Sequence, residues 1–261
     1  TYPWQMNIKK FHGQVPHMAD TLIKAGFTGM EAEICMLEDY YTDWQKLKDL
    51  LDEKQIAFAA LAVHEDWLLP EETDGERERL NEAIEFLTHF PTAKLMLGHV
   101  AADPVREHNL YEKQVNQLKC ISAIAQRAAE AGIVTVFHPN SGENSIFRYE
   151  SDYHIMFDTL YSKGIGYAPD AGHMLNGGID PLKVIREHRD IVQHVHFKDM
   201  TPEHVWATMG EGIGDFKSIV DFLADTGYQG WIMTEDESPD AEQDSDGVVL
   251  ADGAYMKSIA R

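Results

Sequence analysis

Apolar positions along the chain recur in two alternating rhythms. Amphipathic runs with the three-to-four-residue spacing of helices cover residues 17–24, 43–54, 75–88, 110–131, 149–162, 181–188, 216–226 and 247–259. Between them lie short apolar runs of strand length at 30–36, 56–63, 94–98, 133–137, 165–168, 191–197 and 231–234, and a first strand fits over 2–8. Glycines punctuate the joints from helix to strand at Gly26 and Gly29, Gly132, and Gly227 and Gly230, where a left-handed residue stops a helix. Eight helices alternating with eight strands imply a parallel sheet, and the chain length matches a single (β/α)8 TIM barrel of the α/β class spanning residues 1–261. An open doubly wound sheet is the alternative. It is disfavoured because no G-x-G-x-x-G follows the first strand. No linker or low-complexity stretch divides the chain.

Charge narrows the partners. The chain carries 22 Lys and Arg against 44 Asp and Glu, a formal net charge of −22, which repels phosphate backbones and anionic lipid. Nucleic acid and membranes are therefore not expected as partners. Two cysteines, Cys35 and Cys120, make no disulfide framework, so a reducing, cytoplasmic setting is expected. No apolar run reaches membrane-span length, and residues 1–10 lack the order of a signal peptide. The 13 histidines point the other way, toward a metal site built from imidazole and carboxylate.

Barrels place their chemistry at the carboxyl ends of the strands. Those ends carry Glu31 and Glu33, His64, His99, His138, Asp170, His196 and Glu235 in order. Taken singly, each reads as a rim residue, and Glu31 as one that solvates a loop. Taken together, His138, Asp170, His196 and Glu235 follow four successive strands and form a candidate ligand set for one divalent metal ion. Two imidazoles and two carboxylates suit Mn²⁺, Co²⁺, Zn²⁺ or Fe²⁺ better than Ca²⁺. In 193–199 the period of two puts His194, His196 and Lys198 on one face, with His194 deeper and read as a core residue. Trp4, Trp67 and Trp206 fall near expected mouth loops, where sugar stacking and core packing are equally good readings. The segment from Glu235 to Asp246 reads as a solvated acidic loop. The Gly-rich Gly210-Glu211-Gly212-Ile213-Gly214 invites a phosphate cradle, but Asp215 is the expected N-cap of the next helix and Glu211 adds repulsion.

Several of these segments together resemble a known family. Pro169-Asp170-Ala171-Gly172-His173, Gly178-Ile179-Asp180-Pro181-Leu182, His194-Val195-His196-Phe197-Lys198-Asp199, Gly210 through Phe216, and Gly227-Tyr228-Gln229-Gly230-Trp231 are similar to motifs of the sugar isomerase/epimerase family of xylose isomerase-like barrels. The resemblance implies a metal held by Glu, Asp, His and Glu at the ends of strands five to eight. Asp170, His196 and Glu235 fall on three of those positions, and His138 stands where the family has its first Glu. A histidine there resembles the inosose dehydratase branch. A metal-bound imidazole cannot be the second base of a 3-epimerase, and no Arg follows the strand-seven histidine between Phe197 and Asp215.

The resemblance thus implies an enzyme acting on a keto sugar or keto-cyclitol through a metal-stabilised enediolate, with Mn²⁺ the foremost ion. It implies Glu235 as base, His173 as a substrate-contacting donor and Lys198 as the acid that helps a hydroxyl depart; a salt bridge from Lys198 to Asp199 or Glu203 is the bland alternative. His64, His99, Glu33 and Trp67 are the expected pocket residues. Dehydration is preferred over isomerisation or epimerisation, and a non-catalytic sugar-binding barrel is a further alternative. The net charge of −22 speaks strongly against a related metal-dependent endonuclease. Homo-oligomers are compatible with the sequence.

Overall fold

The structure, a computed structural model, describes residues 1–99 and 106–261. Its strands are β1 (Gly29–Glu33), β2 (Ala57–Glu65), β3 (Lys94–His99), β4 (Thr135–Phe137), β5 (Gly166–Tyr167), β6 (His194–Phe197), β7 (Asp199–Met200), β8 (Trp206–Ala207) and β9 (Trp231–Thr234). Seven of them, β1 to β6 and β9, coincide with expected strands. The chain divides into two compact units, one of Thr1–Leu61 with Val195–Arg261 and the other of Ala62–His194.

In the first unit, β1 lies beside the opening half of β2, with the Ala57 amide donating to the Thr28 carbonyl at 2.9 Å. β6 pairs with β9, and β7 and β8 form a short antiparallel hairpin in the register Asp199↔Ala207 and Met200↔Trp206. Helices Val15–Ala25 and Ser245–Ile259 pack closely. A Cβ at Gly253 would lie 2.4 Å from the Ala25 carbonyl oxygen, so only glycine permits the approach. Gly26, with φ of 90°, stops the first of these helices as the sequence predicts.

The β7–β8 hairpin is not foreseen by the sequence pattern, the strand expected over 30–36 turns into a helix at Ile34–Leu37, and one expected strand is absent. The first strand over 2–8 is replaced by helical turns at Tyr2–Gln5 and Ile8–Phe11. Pro3 sits in the first turn, where its fixed φ is already helical and its missing N–H costs nothing, whereas in a ladder it would remove a donor. Trp4 is 1% exposed, and its indole Nε1–H donates to Asp246 Oδ1 at 2.7 Å, so tertiary burial rewards the turn. Among the described residues no other segment takes the place of that strand.

In the second unit, the closing half of β2 is followed in sheet order by β3, β4 and β5. β3 and β4 are parallel with Leu95↔Thr135, Met96↔Val136 and Leu97↔Phe137; β4 and β5 are parallel with Val136↔Gly166 and Phe137↔Tyr167. Leu95, Leu97, Val136, Phe137 and Tyr167 are fully buried, as strands covered on both faces require. Helix Asp74–Leu87 starts on a capping box: the Glu76 amide donates to Thr73 Oγ1 at 3.3 Å and the Thr73 amide to Glu76 Oε2 at 2.6 Å.

Candidate functional site

In the second unit the candidate residues gather where β4 and β5 end. Pro139 stops β4 after His138, and Pro169 precedes Asp170. The Asp170 carboxylate does two things: Oδ1 caps helix Ala171–Asn176 by accepting the His173 amide at 2.6 Å, and Oδ2 faces His138 Nε2 at 3.6 Å. That separation is long for a hydrogen bond. It is close to the edge of a tetrahedron with metal–ligand bonds of about 2.1 Å. Both side chains are buried.

His173 stands edge-on to His138 with ring centroids 5.6 Å apart. Its Nδ1 lies 2.9 Å from Ser141 Oγ, and Asn176 Nδ2 donates to Ser141 Oγ at 2.9 Å and to the Ser141 carbonyl at 3.2 Å. The amide orientation follows, because both Ser141 atoms must accept from it. The Ser141 hydroxyl, accepting from Asn176, can donate to His173 Nδ1, and a neutral imidazole that accepts there would carry its proton on Nε2.

The first unit holds the rest of the ligand candidates. His196, fully buried on β6, lies with Nδ1 2.6 Å from Glu235 Oε2 and Nε2 3.2 Å from Glu31 Oε1. Glu235 follows β9, its amide donating to the Phe197 carbonyl at 2.8 Å. Lys198 is 1% exposed; its Nζ donates to Glu235 Oε1 at 2.5 Å, lies 3.2 Å from Glu237 Oε2 and sits 4.9 Å from the centre of the Trp206 ring. Burial pulls the His196 imidazolium down, but the Glu31 charge and the hydrogen bonds to Glu235 and Glu31 outweigh it and push the group up to about 10. A cation held between two buried carboxylates is the electrostatic condition that a divalent ion would also satisfy, so this half of the donor set fits a metal.

Three readings of the sequence change here. Glu31 does not solvate a loop; it is 2% exposed and bound to His196, a pairing across 165 residues that no local pattern could disclose. Lys198 pairs with Glu235 and Glu237 rather than with Asp199 or Glu203. The acidic segment after β9 is not wholly solvated: Glu235, Asp236 and Ser238 are buried, and Asp236 Oδ1 accepts the Ser238 amide at 2.7 Å. Asp215 does cap the following helix, accepting the Ser218 amide at 3.2 Å.

Of the expected pocket residues, Glu33 belongs to the first unit and His64, Trp67 and His99 to the second. Glu33, half-buried, accepts from Gln5 Nε2 at 3.0 Å. In the other unit the His64 ring lies over the Gly98 backbone, and Trp67 is fully buried with φ of 46°, its amide donating to Glu76 Oε1 at 3.0 Å. His99 is buried with Nε2 3.1 Å from Ser145 Oγ, and burial pushes it down to about 3, so it is neutral. Ser141, Asn176, Glu31 and Glu237 were not singled out as working residues by the sequence, because each acquires its partner only through folding.

Comparisons with known proteins establish the family. The chain matches the family described as xylose isomerase-like TIM barrel over residues 19–258 and belongs to it. Its fold class is accordingly the α/β TIM barrel. It is 29% identical over 140 residues to the inosose dehydratase of Lacticaseibacillus casei, an alignment covering 47% of this chain and 46% of that protein. The chain thus spans about half the length of the curated relatives it matches. Among solved structures it is similar to the IOLI protein with a binding zinc atom (TM-score 0.74, 12% identity, covering 95% of this chain and 92% of that one). It is also similar to D-psicose 3-epimerase with D-tagatose from Clostridium cellulolyticum H10 (TM-score 0.74, 14% identity, 95% and 93%). Among the described residues no helix is long and apolar enough to cross a membrane.

Proposed function

We propose that the chain acts as one barrel domain over residues 1–261 and is a divalent-metal-dependent enzyme that dehydrates a keto-cyclitol or keto sugar. His138, Asp170, His196 and Glu235 are assigned as the ligands of one ion, with Mn²⁺ foremost and Co²⁺, Zn²⁺ and Fe²⁺ as competitors. The donor set and the zinc atom bound by the structurally similar IOLI protein support the assignment. When bound, the ion supplies Lewis acidity that lowers the cost of forming an enediolate from a hydroxyketone.

The observation that carries the reading is the contact of Lys198 Nζ with Glu235 Oε1 at 2.5 Å, both groups buried. Elimination of water needs a base for the α proton and an acid for the departing β-hydroxyl, and here the two are adjacent. Glu235 takes the proton, Lys198 delivers one to the leaving oxygen, and His173 offers its Nε2–H to the oxygen on which charge develops. Glu33, His64, His99 and Trp67 are assigned to shaping the substrate pocket. The inosose dehydratase relatives support the substrate class, and the net charge of −22 favours a neutral polyol over a phosphorylated one.

The test is incubation of the Mn²⁺-loaded chain with inososes and keto sugars in D₂O. Loss of water and growth of enone or dione absorbance are expected, and Asp170→Ala or His196→Ala removes metal retention and turnover together. Deuterium uptake without loss of water would assign isomerisation or epimerisation instead. Full activity after chelation would overturn the metal-dependent reading.

A further inference from the structure

Asp199 follows the acid candidate Lys198, yet its carboxylate is turned to the chain's own backbone. It is 1% exposed and accepts four amide hydrogens: Oδ2 takes Gly210 at 3.0 Å and Gly212 at 2.9 Å, and Oδ1 takes Gly214 at 3.0 Å and Met200 at 2.9 Å. Among the described residues no Lys, Arg or His side chain forms an ion pair with it. Its negative charge is met by backbone dipoles alone.

The loop's glycines serve this convergence. A Cβ at Gly212 would lie 2.3 Å from Asp199 Oδ1, and one at Gly214 would lie 3.1 Å from the same atom. Side chains there would hold the loop off the carboxylate. The amides of Gly210, Gly212 and Gly214, alternate residues of one loop, converge with that of Met200 on one carboxylate, as backbone amides do in anion-binding concavities, and barrels commonly bind phosphate with the loops of their last two strands. This loop lies in the chain between β6 and β9, the strands that carry His196 and end before Glu235. The phosphate-like cradle suggested by the glycines is therefore present, but Asp199 rather than the capping Asp215 occupies it.

We infer that Asp199 is a specificity-determining residue, an internal substitute for phosphate that fills a latent anion site and restricts the enzyme to substrates without a phosphate group. The substrate half of this statement rests on the function proposed above; the anion site does not. A tethered carboxylate competes with any free anion from within the molecule, so the intact nest is closed to phosphate at ordinary concentrations. Removing the carboxylate leaves the donors in place without their anion.

The experiment uses the full chain, metal-loaded, with inorganic phosphate as the probe and chloride at matched ionic strength as the control. In Asp199→Ala, phosphate should raise Tm and bind by calorimetry at least roughly tenfold more tightly than in the unaltered chain, because a ligand of the folded state stabilises it. Asp199→Asn keeps the nest filled with a neutral group, so it should lose stability without regaining it in phosphate. Equal phosphate responses in all three proteins, or none in Asp199→Ala, would overturn the inference. If Asp199→Ala does not fold in chloride, recovery on refolding in phosphate alone supports the inference, and equal failure in both salts overturns it. Phosphate binding by Asp199→Ala with no turnover of any keto polyol by the unaltered chain would uphold the anion site and count against the proposed dehydration, which keeps the two failures distinct.

Discussion

Ser141 lies outside the proposed ligand set but touches His173, the donor proposed above. Its hydroxyl receives an N–H from Asn176 and so turns its own proton to His173 Nδ1. With Nδ1 accepting, a neutral His173 would donate from Nε2, which the oxyanion-stabilising role proposed above requires. Ser141→Ala should release the imidazole to sample both tautomers, and the ¹⁵N shift of His173 Nδ1 should leave the acceptor range. A loss of about one to two orders of magnitude in kcat with little change in KM is expected, since one positioned donor is worth about 2–4 kcal/mol at the transition state. Ser141→Thr keeps the hydroxyl and should restore the shift. An unchanged spectrum in Ser141→Ala would remove Ser141 from this role.

At the scale of elements, the helices expected from periodicity formed with small shifts of boundary because their apolar stripes were continuous. The helix over 110–131 is observed as Leu110–Glu130, and the one over 247–259 as Ser245–Ile259. The latter depends on the small residue at its contact with Val15–Ala25. Gly253→Val should cost about 1–3 kcal/mol by forcing the helices apart, measured as a lower denaturation midpoint with an unchanged denaturant slope. An unaltered midpoint would show that the pair can slide without loss. The first expected strand failed at this scale for a complementary reason. Residues 2–8 are compatible with either state on their own, and burial of Trp4 with its hydrogen bond to Asp246, a contact across 242 residues, favours the helical turn.

For the whole molecule, the charge of −22 sets the background, but a few buried groups carry the response to pH and metal. His196 is raised to about 10 by Glu31 and Glu235 in spite of its burial. Its folded value exceeds the unfolded value near 6.5, so in the metal-free protein the stability it adds is fully present below about pH 6.5 and is lost as pH rises toward 10. With His196 a ligand as proposed above, an arriving metal displaces that proton. Divalent ion affinity should therefore rise with pH, by up to about tenfold per unit, with proton release on binding measurable by calorimetry in buffers of different ionisation enthalpy. His196→Gln should abolish the proton release; binding without any pH dependence would show that His196 is not a ligand.

The alternation of elements, the barrel class and the strand-end residues His138, Asp170, His196 and Glu235 were legible in the sequence, because hydrophobic period and chain order express local geometry directly. The motif from His194 to Asp199 likewise identified the strand that carries His196 and Lys198. The structure alone decided which polar residues meet. Glu31 finds His196, Lys198 finds Glu235, and Asp199 finds the glycine loop through contacts between segments far apart in the chain or turned back on themselves. The physical reason is burial: a carboxylate in water has no reason to choose one partner, whereas a carboxylate removed from water must be met by whatever cation or amide the fold brings within reach.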